Sequence, residues 1–244
     1  MENTQKGVPL ACSAITALLL VPAIAGAAGE EADMLSAGLT LGTDYTFRGI
    51  SQTQGSMAIQ ACAELSLSSG LYAFAWASNV DFTQAGEPSD GASREINLAI
   101  GYAHDVAEKW NLDLQLVSYM FPGLTNDESY DYGELIAQLT YDERHHLVLG
   151  YTDNIDNTGE NSFYYEAGTV FEYRNDLSVG LTYGFVDLNE AYEDSYSYLK
   201  TSIGRPVRDA FVSLDYIETF GSAVDFYGEA AGGSRFVLSV SLDF

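Results

Sequence analysis

"SFYYEAGTVFEYRNDLSVGLTYGF", residues 162–185, alternates along nearly its whole length. Phe163, Tyr165, Ala167, Thr169, Phe171 and Tyr173 share one parity, and Tyr164, Glu166, Gly168, Val170 and Glu172 take the other. After "RND" the pattern resumes. Leu177, Val179, Leu181, Tyr183 and Phe185 alternate with Ser178, Gly180, Thr182 and Gly184. Side chains of a strand point to opposite faces in turn, so one face is apolar and aromatic and the other is polar, acidic or glycine. The stretch therefore reads as two strands joined by a short turn.

The same unit recurs outward in both directions. The alternation predicts twelve strands, at about 36–48, 56–67, 71–82, 94–104, 110–121, 131–141, 146–153, 162–173, 177–186, 196–204, 210–218 and 234–244. No segment after the first ~27 residues carries apolar residues at the helical spacing i, i+3, i+4, i+7. Connections alternate between short ("SSG", "DVAEK", "DERH", "RND", "RPVRD") and long ("TQAGEPSDGAS", "PGLTNDESY", "ETFGSAVDFYGEAAGGS").

A soluble sandwich or barrel and a transmembrane barrel both use such strands. Four features favour the second. Strands of ~10 residues suit a tilted bilayer crossing. An even strand number with alternating short and long turns is the pattern of outer-membrane barrels. Glu, Asp and Gln stand in mid-strand, where a dry core would not accept them unpaired. Finally, "SRFVLSVSLDF" (234–244) puts Phe236, Leu238, Val240, Leu242 and Phe244 on one face and ends in Phe, which resembles the signal read by the outer-membrane barrel assembly machinery. A mean hydropathy of −0.03 agrees, since only alternate residues would meet lipid. Backbone groups in lipid must be satisfied internally, so the sheet must close. The fold class expected is an all-β, transmembrane, antiparallel up-and-down barrel of twelve strands, with short turns and both ends of the barrel domain in the periplasm.

The chain starts with Lys6, then "AITALLLVPAIAGAA" (14–28) and an Ala25-x-Ala27 site. The apolar run is too short to span a membrane as a helix, so residues 1–27 are expected to be a secretory signal peptide and 28–244 the barrel. The 244 residues carry a formal charge of −25, which excludes nucleic acid as a partner, because phosphate binding needs clustered Lys and Arg.

Parity assigns Asp44, Glu64, Glu95, Asp113, Glu134, Glu166, Glu172 and Asp215 to the inward face, with Arg48, Lys200 and Arg235 as the few inward cations. These are the candidate pore-lining residues. Rings of carboxylates favour cations. Parity also sends Tyr45 and Phe47 outward to lipid, with Trp76, Phe82, Tyr102, Trp110, Tyr141, Tyr173 and Tyr183 as further candidates for the interfacial aromatic girdles. Arg48 is expected to pair across strands with Glu64 or Asp81, and Gly49 to let the chain leave the sheet.

The segment around Arg48, "TDYTFRGISQTQG" (43–55), followed by "GLYAFAWASNVDF" (70–82), resembles the TorF-type porins, a proteobacterial family of unknown function. The matching motifs are Asp-Tyr-x-Phe-Arg-Gly-Ile-Ser-Gln at 44–52 and Trp-x-Ser-Asn-Val at 76–80; "SYMFPG" and "YGEL" look like later blocks of that family. The resemblance spans most of the chain after the leader and is strongest in its first third. It implies an outer-membrane barrel and supplies neither a substrate nor catalytic residues.

No catalytic, cofactor or metal site is expected. There is no G-x-S-x-G, phosphate loop or Cys/His zinc pattern. His104, His145 and His146 read as polar residues near short turns. "DNIDNTGE" (153–160) lacks the spacing of a calcium loop and reads, with "EAYEDSYSY" (190–198), as acidic surface loop. The expected function is passive diffusion of small cationic or neutral solutes across the outer membrane. The competing expectation is a closed structural or surface-interaction barrel whose acidic loops bind ions, lipopolysaccharide or a partner. Membrane lipids and lipopolysaccharide, the assembly machinery through Phe244, and small solutes are the partners expected.

Overall fold

A computed structural model describes residues 34–83, 86, 88–125, 129–173 and 176–244. The expected signal peptide lies outside these residues. In chain order the strands are β1 (Met34–Gly42), β2 (Thr46–Phe47), β3 (Ile50–Ser51), β4 (Ala58–Ser66), β5 (Leu71–Asn79), β6 (Arg94–Ala107), β7 (Trp110–Met120), β8 (Tyr132–Tyr141), β9 (His145–Thr152), β10 (Ser162–Tyr173), β11 (Leu177–Leu188), β12 (Asp194–Val207), β13 (Ala210–Gly221) and β14 (Arg235–Asp243). Two short helices, α1 (Asn189–Tyr192) and α2 (Ala223–Gly232), and a 3-10 turn (Ile155–Asn157) lie in the long loops.

Twelve strands, β1 and β4 to β14, form one closed antiparallel barrel in which every strand pairs with its sequence neighbours. Closure comes from β1 against β14, in register from Gly38 opposite Asp243 to Gly42 opposite Ser239. The seam extends one residue further, where Ala37 and Phe244 exchange backbone hydrogen bonds of 2.8 and 3.2 Å. No barrel strand is left with an open edge, so the wall's backbone groups can be satisfied within the sheet.

The wall follows the alternation. β4 and β5 read buried–exposed residue by residue, and the exposed set across the barrel includes Leu39, Ile59, Ile100, Leu116, Leu149 and Leu238. The outside is thus an apolar belt suited to lipid. Aromatics collect on it toward both ends. Trp110 packs against Tyr141 with ring centroids 4.7 Å apart near the short turns, and Tyr151 meets Phe163 at 4.8 Å nearer the long loops.

Four expectations fail, each for a local reason. β1 stops at Gly42, six residues early. Thr43 keeps two last bonds to the wall, donating its N–H to the Leu238 carbonyl at 2.9 Å and accepting from the Leu238 N–H on Oγ1 at 3.0 Å, and the chain then folds into the barrel. Tyr45 and Phe47 therefore do not face lipid: Tyr45 is 0 % exposed and lies 5.1 Å from the Trp76 ring. Trp76 is also no girdle residue. On β5 the inward set is Tyr72, Phe74 and Trp76, and the outward set is Ala73, Ala75 and Ala77. Phe82 lies past the end of β5, half-buried against Phe121 at 5.6 Å.

Candidate functional site

The inward face mixes polar and acidic side chains with apolar ones such as Trp76, Val148 and Val237, and the chain adds a further object to it. Residues 43–57 leave β1, turn into the lumen as the small β2–β3 hairpin, and return to β4. The turn needs Gly49, whose φ is +86°, and a Cβ there would meet Tyr198 Cβ and Cγ at 2.7 and 2.8 Å. Arg48 beside it also holds a left-handed φ of +50°, a conformation that a non-glycine residue keeps only where its surroundings fix it.

Those surroundings are specific. Arg48 Nη2 donates to Glu134 Oε2 at 2.6 Å, and the Tyr119 hydroxyl donates to the same oxygen at 3.0 Å. The guanidinium is flanked by the Phe47 ring at 4.5 Å and the Tyr164 ring at 4.0 Å. Asp44 fixes the other end of the segment. It accepts from Ser51 Oγ at 2.6 Å and Thr53 Oγ1 at 2.7 Å, and pairs with Arg235 Nη1 at 3.1 Å. The partner of Arg48 is thus Glu134 on β8, not Glu64 or Asp81. The expected pairing assumed a regular first strand, and the inward fold carries Arg48 across the lumen instead.

The other buried candidate residues sort into three levels of the wall. Near the short-turn end, Tyr72 donates to both Asp113 oxygens at 2.9 and 3.0 Å, Gln115 Nε2 donates to Asp113 at 2.8 Å, and Ser66 donates to Glu64. In mid-barrel, Glu166 accepts from the Tyr198 hydroxyl and meets His146 Nε2 at 3.2 Å. Lys200 and Asp215 are buried on the same face, and Glu95 is buried at the long-loop end of β6 beside Asn97 at 2.8 Å. Glu172 has the inward parity but is exposed, near the short-turn end of β10. His146 is no turn residue: it points inward, 6 % exposed. Its parity with Val148 on β9 was the signal for this. Gly168, opposite His146 across the ladder, leaves the imidazole its space.

Among the described residues seven buried carboxylates (Asp44, Glu64, Glu95, Asp113, Glu134, Glu166, Asp215) face three cations, Arg48, Lys200 and Arg235. Several wall atoms reach no hydrogen-bond partner, among them Gln60 Nε2, Gln115 Oε1, Gln138 Oε1, His146 Nδ1 and Ser239 Oγ. Orphans of this kind are costly in a dry core and belong to an interior built to be wet.

Above Arg48, on the long-loop side, lies a cavity of about 390 Å³. Arg48, Phe47 and Glu95 line it from the hairpin and β6, while α1, α2 and the 3-10 turn contribute Tyr192, Phe226 and Asp156. The Tyr192 hydroxyl donates to Asp156 Oδ2 at 3.0 Å. Burial raises the Asp156 carboxyl above the ordinary range, against the opposing pull of that hydrogen bond and of the Arg48 charge. Asp156 gave no sign in the strand periodicity because it belongs to a loop. On the described residues no group of three or more His, Cys, Asp or Glu is placed to hold a metal.

A closed antiparallel barrel with an apolar outside and a polar inside is the fold of outer-membrane porins, and solved structures bear this out. The fold is similar to the KdgM porin (TM-score 0.53, 5 % identity, 86 % of this chain and 98 % of that one) and to the NanC porin (TM-score 0.53, 9 % identity, 86 % and 99 %). It is similar also to the KdgM porin in complex with disordered oligogalacturonate (TM-score 0.51, 6 % identity, 86 % and 98 %). The chain belongs to the family described as bacterial protein of unknown function (Gcw_chp), matching it over residues 26–243. No curated protein matches the sequence.

Proposed function

We propose that this protein is an outer-membrane channel of the porin class for small cationic or neutral solutes, occluded in this conformation by its own 43–57 segment. The observation that carries the reading is the wall itself. It is apolar toward lipid, and inward it bears carboxylates in excess together with polar atoms that keep unmatched hydrogen-bonding capacity. The likeness of 44–52 and 76–80 to the TorF-type porins supports it, as does the porin fold. No step of chemistry is assigned to the interior. The excess of carboxylates raises the local concentration of cations, and salt screens the effect over ~8 Å at physiological strength.

Reversal potential in a salt gradient across a planar bilayer tests this. Unmodified protein should pass small currents with cation preference, and Glu64→Gln with Asp113→Asn together should lower that preference. Anion preference would overturn the electrostatic argument.

One observation favours a closed barrel. The candidate lining residues other than Glu172 and Arg235 are at most 7 % exposed, and the hairpin and α2, which packs on β3, fill the long-loop half. On that reading the acidic loops, not the lumen, meet ions, lipopolysaccharide or a partner. Silence in the bilayer from both the unmodified protein and a variant with the hairpin unseated would decide for it.

The export and assembly route is part of the same proposal. Residues 1–27 direct secretion, and the assembly machinery engages β14 through Phe244. Because Phe244 also completes the seam with Ala37, its deletion should slow insertion into the membrane and leave export unchanged. Pulse-chase folding, read by heat-modifiable gel migration, checks this; unaltered kinetics would remove Phe244 from the route.

A further inference from the structure

We propose that the cavity above Arg48 is a binding site for a small organic cation of the quaternary ammonium type. The inference deepens the channel reading and rests on it for the direction of approach, from the long-loop side.

Two aromatic clusters from different loops wall the site. Phe82, Phe121 and Tyr130 form one, with ring centroids 5.6–6.5 Å apart. Tyr192, Phe226 and Tyr227 form the other, at 6.0–6.2 Å. Aromatic ring faces are electron-rich and attract cations, most strongly those that shed their water easily. A cavity of about 390 Å³ is in the size range of small-molecule sites.

The charge points the same way. Asp90, Glu95 and Asp156 all line the cavity. Among the described residues the one cation on the lining is Arg48, and it is already engaged: its charge is matched by Glu134 at 2.6 Å and its faces by two rings. The lining thus keeps net negative charge beside apolar ring surfaces. A hard metal ion would want several convergent oxygens, which this lining does not gather. An anion would meet the carboxylates. A cation carrying methyl groups satisfies both features, with its methyls on the rings and its charge near Asp156.

The test uses the full barrel in nonionic detergent, titrated calorimetrically with choline, with its uncharged isostere 3,3-dimethylbutan-1-ol, and with glucose. Choline should bind, and the isostere should bind roughly tenfold more weakly, the size of a well-formed cation–π and charge contribution. Asp156→Asn and Tyr192→Leu should each weaken choline several-fold, while Asp142→Asn, in a short turn at the opposite end, should not. No choline binding at millimolar concentration, equal affinity for the isostere, preference for glucose, or full affinity in both cavity variants would each overturn the site. The isostere comparison needs no variant, so a misfolded mutant does not blunt it. Choline binding with a silent bilayer, for the unmodified protein and the hairpin-unseated variant alike, would keep the site and sink the channel; conductance without choline binding would do the reverse.

Discussion

Arg48→Ala should unseat the 43–57 segment and turn a small, quiet conductance into a larger, noisier and more cation-selective one. The reason lies in what is left behind. Arg48 and Glu134 side chains are 3 % and 1 % exposed, and removing one partner of a buried pair costs about 3–5 kcal/mol, because the other charge stays buried and unmatched. The barrel wall does not depend on this pair. The cost therefore falls on the seated state of the segment, and withdrawal of the hairpin, with water reaching Glu134, is the relaxation available. Arg48→Met combined with Glu134→Leu should recover much of the closed behaviour, since an apolar pair of similar size removes both charges together. Single-channel recording of the three proteins checks this. Open probability in Arg48→Ala equal to that of the unmodified protein would refute the latch.

The second large effect belongs to the outer face. Leu114, Leu181 and Leu238 are 46–48 % exposed on three well-separated strands. An arginine at mid-membrane depth on a barrel's lipid face costs about 2–4 kcal/mol, so Leu→Arg at any of them should lower stability in lipid vesicles by that amount. Gln115→Ala, one residue along β7 from Leu114 and pointing inward, should cost about 1 kcal/mol for its hydrogen bond to Asp113. Urea titrations of the refolded proteins give the comparison, and a reversed ranking would mean that the two faces are exchanged. Glu134→Gln is not a harmless inward control, because it leaves Arg48 without its countercharge.

All twelve wall strands were legible because lipid outside and polar interior inside impose a period of two on each of them, and short turns give little room for error. The lumen contents were not. From Leu39 to Phe47 the alternation runs on without a break, so nothing in the periodicity marks Gly42 as the end of β1. On β5 the rule inverted: alanines suffice toward lipid, so the large aromatics were free to point inward, and Trp76 was read on the wrong face. Parity alone found the buried acids but also drew in Glu172, which is exposed, and it did not give their pairing. Arg48 and Glu134 are 86 residues apart, and only the curvature of the closed barrel brings β8 opposite the hairpin. The cavity above them is closed by loop residues such as Asp156, Tyr192 and Phe226, where no period exists to be read.

The hairpin also carries a consequence for the order in which the molecule is made. Apart from the β1–β14 seam, wall strands pair with their sequence neighbours, so the wall can zip from one hairpin to the next with low loop-closure cost. The 43–57 segment is different. It follows the first strand, yet its anchors are Glu134 on β8, Tyr164 on β10, Tyr198 under Gly49 on β12, and Arg235 at the start of β14, 191 residues from Asp44. These sites stand in the right places only once the last strand has met the first. An early-synthesised piece of chain must therefore wait for the final one, and its docking registers completion: a chain stalled short of β14 would hold a loose tail where a finished molecule holds a keystone.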